Sequence, residues 1–162
     1  MALPLTAPSA HAHDARSFTQ RSQTRINTAL SERQLEQKKK LLTKAFFEFK
    51  QGNVGMAKTL AAFLCEAYAD PDAYMVLAAS AHKLGDEKVA ADAYEAALTH
   101  KPDDLNLNVG YAELCIKLMR YDVAKKHIEH CFALDPKSQH PAGAKARVLV
   151  LKVEQMLANG HQ

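Results

Sequence analysis

His127 and His130 stand three residues apart with Cys131 beside the second, and of all the residues in this chain they come nearest to a reactive constellation. Positions three apart share a helix face, which is how paired imidazoles reach one metal ion. The repeat register described below turns Cys131 inward and leaves both histidines on the outer side, and no second ligand cluster lies nearby in sequence. No metal site is expected, and His11 and His13 would bind metal only adventitiously. Asp103 and Asp104 follow Pro102 at a helix-start position, so capping accounts for them. The chain has no glycine-rich loop suited to phosphate, and no Ser or Cys sits in a recognisable nucleophile setting. The expectation is a protein that binds rather than catalyses, with no cofactor.

The elements that carry these residues are constrained by composition first. The 162 residues include 21 Lys and Arg against 18 Asp and Glu, a formal charge of +3. That excess is too small to argue for nucleic acid, because basic and acidic residues alternate along most of the chain. No apolar run approaches the roughly 18 residues of a spanning helix, so no stable membrane insertion is expected. Cys65, Cys115 and Cys131 lack metal-ligand spacing, and an odd count argues against a disulfide framework; they read as reduced core thiols of a cytoplasmic protein. Residues 1–27 show little hydrophobic periodicity and read as a disordered leader. With Arg16, Arg21 and Arg25 against the single acid Asp14, a mitochondrial transit peptide is the alternative there.

Punctuation then recurs at a fixed interval. Gly52, Ala57 and Leu64 are echoed 33 residues on by Gly85, Ala90 and Ala97, and Ala90, Ala97 and Pro102 are echoed 34 residues on by Ala124, Cys131 and Pro136. This period predicts stacked helix–turn–helix units of the tetratricopeptide type, an all-α short solenoid. Three hairpins are expected over about 38–70, 71–104 and 105–138, with a closing helix over about 141–158, in a domain covering 28–158. Ser31 with Gln34 forms a capping box, Pro71 opens a helix where a missing N–H is harmless, and Gly85 ends it. Asp86 is placed to cap the helix that follows. Met119 stands where the third turn glycine belongs, which is tolerable if that turn avoids positive φ. The closing helix is expected to turn a polar side outward, as the open end of an array requires.

The first helix of each hairpin has a second face besides the one that packs. Leu42, Phe46 and Phe49 lie within about 60° of one another on it, at 3.6 residues per turn. The matching positions are Met75, Ala79 and His82 in the second hairpin, then Val109, Glu113 and Ile116 in the third. This face lines the inside of a tetratricopeptide curve, so these residues are the candidate groove, apolar and aromatic at one end, with Lys50, Lys83 and Lys117 along its margin.

From about Leu41 to Leu157 the chain resembles the class II chaperones of bacterial type III secretion, which hold translocator proteins before export. The resemblance is carried by Ala45-Phe46-Phe47-Glu48-Phe49 through Gly52, by Phe63-Leu64-Cys65, by Pro71-Asp72 leading into Met75-Val76-Leu77-Ala78-Ala79, and by Ala144-Lys145-Ala146. It implies a bacterial cytoplasmic chaperone whose concave face binds an extended segment of a secreted translocator, through apolar pockets that map onto Leu42, Phe46, Phe49 and Met75. It also leaves a homodimer open. A structural adaptor in a larger assembly, using the convex face around Lys126, His127 and His130, is the alternative function.

Overall fold

The structure, a computed structural model, describes residues 31–159. The chain divides into two units, Met1–Lys40 and Leu41–Gln162. Of the first, residues 31–40 are described and helical, with Glu36 and Lys40 paired one turn apart at 3.5 Å. The leader expected over 1–27 lies outside the described residues, and so does the entry into the helix that Ser31 and Gln34 are expected to cap. Helix α1 covers residues 31–50, followed by α2 (Val54–Tyr68), α3 (Pro71–Leu84), α4 (Glu87–His100), α5 (Leu105–Lys117), α6 (Tyr121–Leu134) and α7 (Pro141–Asn159). There is no strand among the described residues.

One turn is used three times in the second unit. After α1, the Gly52 N–H donates to Phe49 O at 3.2 Å and the Asn53 N–H to Glu48 O at 2.9 Å. After α3, Gly85 donates to His82 O at 3.2 Å and Asp86 to Ala81 O at 2.9 Å; after α5, Met119 donates to Ile116 O at 3.1 Å and Arg120 to Cys115 O at 2.7 Å. These paired bonds satisfy carbonyls left over at a helix end, and they require a left-handed residue at the centre. The central φ values are 85° at Gly52, 79° at Gly85 and 58° at Met119. The third turn therefore does not avoid positive φ. Its hydrogen bonds impose the left-handed conformation, and Met119 adopts it with a Cβ, its side chain 76% exposed.

The same turn explains why Asp86 does not cap α4. The residues entering α2, α4 and α6 from these tight turns, Asn53, Asp86 and Arg120, have ψ of 57°, 69° and 61°, and none makes a side-chain cap. A capping side chain reaches the first helical N–H groups from extended backbone. Where the chain enters a helix extended, capping occurs: the Asp70 carboxylate accepts from Asp72 N–H at 2.9 Å and Ala73 N–H at 3.0 Å, and Asp104 accepts from Leu107 N–H at 3.0 Å. Asp86 instead takes the ammonium of Lys58, from α2.

Inside, small residues set the spacing. Ala45, Ala57, Ala78, Ala90, Ala112 and Ala124 are all completely buried. Alanine at a crossing point lets helix backbones approach closely, and the longer side chains, Leu64, Leu114 and Ile128, fill the layers between. Helix α7 packs on α5 and α6 and buries Ala142, Ala146, Leu149 and Val153. Its start is held by Asp135, whose carboxylate accepts from Gln139 N–H at 3.0 Å and His140 N–H at 2.9 Å. Those bonds, the one from His140 first, hold the Asp135 carboxyl below its ordinary value. A Cβ on Gly143 would fall 2.2 Å from that carboxylate, so the glycine is what lets the acid lie against the helix. The outward side of α7 is less polar than expected: Val148 and Leu151 are 67% and 66% exposed. They fall outside the inward stripe of Ala146, Leu149 and Val153.

Met119→Gly is expected to raise stability by about 1 kcal/mol, since an L-residue in the left-handed region costs about 1–2 kcal/mol and glycine returns part of that through its freer unfolded chain. Urea unfolding of the two proteins measures it; a loss of stability would mean that the Met119 side chain contributes more than its exposure allows. The thiols give a second test. Cys115 and Cys131 are fully buried, and burial raises both thiols, Cys131 to about 11. Neither should react with iodoacetamide at neutral pH until the protein unfolds, because the thiolate is the reactive form.

Candidate functional site

The first helices of the hairpins and the start of α7 enclose two adjoining clefts. The larger, of about 640 Å³, lies among Phe49, His82, Lys83, Val109, Glu113 and Lys145; the smaller, of about 140 Å³, among Phe46, Met75, Val76 and Leu107. Phe49, Ala79, Tyr94 and Asn106 belong to both, so the clefts form one groove. The repeat places these side chains on one surface. Phe46 and Ala79, like Phe49 and His82, are 33 residues apart, while Met75 and Val109, like Ala79 and Glu113, are 34 apart. Phe46, Phe49 and Met75 are partly buried and packed against the core, so the groove's apolar wall is continuous with the interior.

Of the groove residues expected from sequence, Phe46, Phe49, Met75, Ala79, His82 and Val109 line one cleft or both. Leu42 is half-buried outside the two linings, and Ile116 is 6% exposed in the core cluster. The three margin lysines separate as well. Lys83 lies over the Phe49 ring, its ammonium 4.3 Å from the centroid, a cation–π arrangement. Lys117 reaches Glu87 on α4 at 2.8 Å, and Lys50 is exposed outside both linings. Lys145 of α7 bridges to Glu113 of α5 at 2.7 Å.

Tyr94, Asn106, Gly110 and Lys145 line the groove although the helical faces did not assign them to it. Tyr94 belongs to α4, a second helix, and is 4% exposed as expected of a stack residue. Its hydroxyl nevertheless arrives at the groove, 3.4 Å from Nδ1 of His82, because Gly110 leaves room on α5: a Cβ there would lie 2.5 Å from that oxygen. A glycine in mid-helix costs about 1 kcal/mol against alanine, which is the signal that marks the position.

The rings continue through the protein. His82 meets Tyr94 edge-on with centroids 6.1 Å apart, Tyr94 and Tyr111 are 5.7 Å apart, and Tyr111 meets His127 edge-on at 5.0 Å. Burial is the first cause that lowers His82 below its ordinary value, partly opposed by Glu113 and reinforced by Lys117 and Lys145. Burial likewise lowers His127 and raises both tyrosines. His127 is half-buried beside His130 at the outer cleft: its Nδ1 lies 2.8 Å from the side-chain oxygen of buried Asn108. Asn108 donates its amide hydrogens to Pro102 O and Asp104 O, so that oxygen is left as an acceptor and the His127 Nδ1 carries the proton. Nε2 of His130 pairs with Asp103 at 3.0 Å. Among the described residues no three His, Cys, Asp or Glu side chains converge as metal ligands would.

Gly110→Ala is expected to destabilise the protein although alanine favours helix, because Tyr94 must move. Combined with Tyr94→Phe, the loss should shrink by about 0.5–1 kcal/mol, the coupling of residues in direct contact. A double-mutant cycle from urea unfolding reads it, and strict additivity would show that the hydroxyl does not occupy the space the glycine leaves.

In sequence, the tetratricopeptide repeat family matches residues 81–148, which is α4–α6 with the end of α3 and the start of α7. No curated protein sequence matches the chain. Among solved structures it is similar to PcrH from Pseudomonas aeruginosa, at 19% identity and a TM-score of 0.65 over 74% of this chain and 92% of PcrH. PcrH in complex with the chaperone binding region of PopD is similar at 20% identity and a TM-score of 0.63, over 75% and 92%. The first tetratricopeptide domain of Spaghetti (RPAP3), bound to the HSP90 peptide SRMEEVD, is similar at 21% identity and a TM-score of 0.67, over 75% and 93%. Residues 41–159 therefore carry an all-α helical repeat of the tetratricopeptide type.

Proposed function

We propose that this protein binds an extended segment of a partner protein in the groove of α1, α3, α5 and α7, and that the partner is a type III secretion translocator held before export. The observation that carries the reading is the apolar wall of Phe46, Phe49, Met75 and Val109 facing two joined clefts. An elongated groove walled by helix faces suits a chain without secondary structure of its own. Each apolar side chain buried there contributes about 1.5–3 kcal/mol, so two or three anchors offset the ordering of the segment. The translocator client is supported by the sequence resemblance and by the fold shared with PcrH, whose complexes hold the chaperone binding regions of PopD and PopB. The alternative, an adaptor that binds through its convex side, is favoured by a cleft of about 310 Å³ among Leu98, Pro102, Lys126, His127 and His130.

Phe49→Asp separates these readings. A carboxylate at this site stays hydrated in the free protein and is desolvated when a segment enters the groove. The variant should keep its helical circular dichroism, melt a few degrees lower, and lose client pull-down. Ala90→Leu, at a completely buried position, should instead lower the melting temperature first through overpacking. Unimpaired pull-down by folded Phe49→Asp would move the client to the convex cleft. Collapse of its helical signal would show Phe49 to be a core residue.

A further inference from the structure

The charges around the groove say what should lie beside the apolar anchor. Besides Tyr94, whose burial keeps its hydroxyl neutral, four charged or titratable side chains line the larger cleft: Lys83, Lys145, Glu113 and His82. Lys145 and Glu113 neutralise each other at 2.7 Å. Burial favours the neutral form of His82. Lys83 remains, and no carboxylate pairs with it among the described residues; its ammonium is held 4.3 Å from the centre of the Phe49 ring. Phe49 is also the wall shared by the two clefts, so an apolar side chain seated in the smaller one comes to rest next to an unpaired cation.

Resting on the groove reading above, we propose that the groove selects an extended protein segment in which a medium-sized apolar side chain stands within two residues of a carboxylate, the carboxylate being received by Lys83. The smaller cleft, about 140 Å³, suits a Leu, Val or Met rather than a Trp. An extended chain advances about 3.3 Å per residue, so a neighbour one or two residues along from an anchor beside Phe49 comes within reach of the Lys83 ammonium. Preorganisation adds to the attraction. Lys83 sits over an aromatic face, and the entry of a partner chain removes water from both charges, which strengthens their interaction. A segment with Lys or Arg at that place is repelled by the same group, which supplies discrimination against basic sequences.

The test uses the full chain and fluorescein-labelled peptides of about ten residues, which reach about 33 Å when extended. Each peptide carries one central Leu in a Ser-rich background, with Asp, Asn or Lys placed one or two residues to either side. Fluorescence anisotropy is expected to rank Asp over Asn by roughly three- to tenfold at the best position, and Asn over Lys by a similar factor, with the ranking flattened at about 0.5 M salt. Lys83→Gln should abolish the ranking, and Lys83→Glu should reverse it; Lys83 is exposed, so folding is retained and circular dichroism checks it. Leu peptides that bind equally whatever their neighbour would overturn this inference and leave the groove reading intact. A ranking that persists unchanged in Lys83→Glu would also overturn it. Absence of binding by every Leu peptide would overturn both.

Discussion

The rest of the structure depends on a reversal of chain direction within three residues, repeated three times. A helix can end so abruptly only if its last carbonyls find donors in the turn itself, and the paired bonds after α1, α3 and α5 supply them at a central residue of positive φ. Because the same pair of bonds closes each hairpin, a fixed period in sequence brings equivalent residues to equivalent helices. Equivalent residues then share a surface. Phe49 and His82 meet in one cleft for that reason, and so do Ala79 and Glu113.

Elements whose physics is local were legible in the sequence. Gly52 and Gly85 mark the turns because left-handed backbone excludes most side chains, and Pro71 and Pro141 mark helix starts because each lacks an N–H that the first turn does not use. Reading failed where two local rules compete. Met119 invited the inference that its turn avoids positive φ, but the bonds to Ile116 O and Cys115 O outweigh the strain at one exposed residue. Asp86 has the right type for a cap in the wrong backbone, and only the ψ of the entering residue distinguishes it from Asp70 and Asp104.

The groove was half legible, for a different reason. Helical periodicity assigns a residue to one face, whereas a groove is bounded by whatever reaches it. Phe46, Met75 and Val109 reach it from the expected face. Tyr94 reaches it from a second helix, through a gap that exists because residue 110 has no Cβ. Lys117 has the same register position as Lys83, yet Glu87 of the preceding hairpin draws it aside. Lys83 makes no such ion pair among the described residues and stays over Phe49. Which lysine faces the groove is therefore decided by acids on neighbouring helices, information that a single helix face does not contain.

The two sides of the array are also less separate than a concave and a convex surface suggest. His82 lines the groove, His127 lines the convex cleft, and between them Tyr94 and Tyr111 complete an unbroken row of ring contacts. The interior rings have little room: Tyr94 is 4% and Tyr111 3% exposed, and close-packed interiors transmit displacement rather than absorb it. The row is pinned at its far end by Asn108, whose amide is committed to two backbone carbonyls and whose oxygen faces His127. Tyr94, which borders both clefts of the groove, thus rests on Tyr111, and Tyr111 in turn rests on His127 in the wall of the convex cleft. The groove and the convex cleft have no lining residue in common, so a chain of ring contacts from Tyr94 through Tyr111 to His127 is what joins their walls.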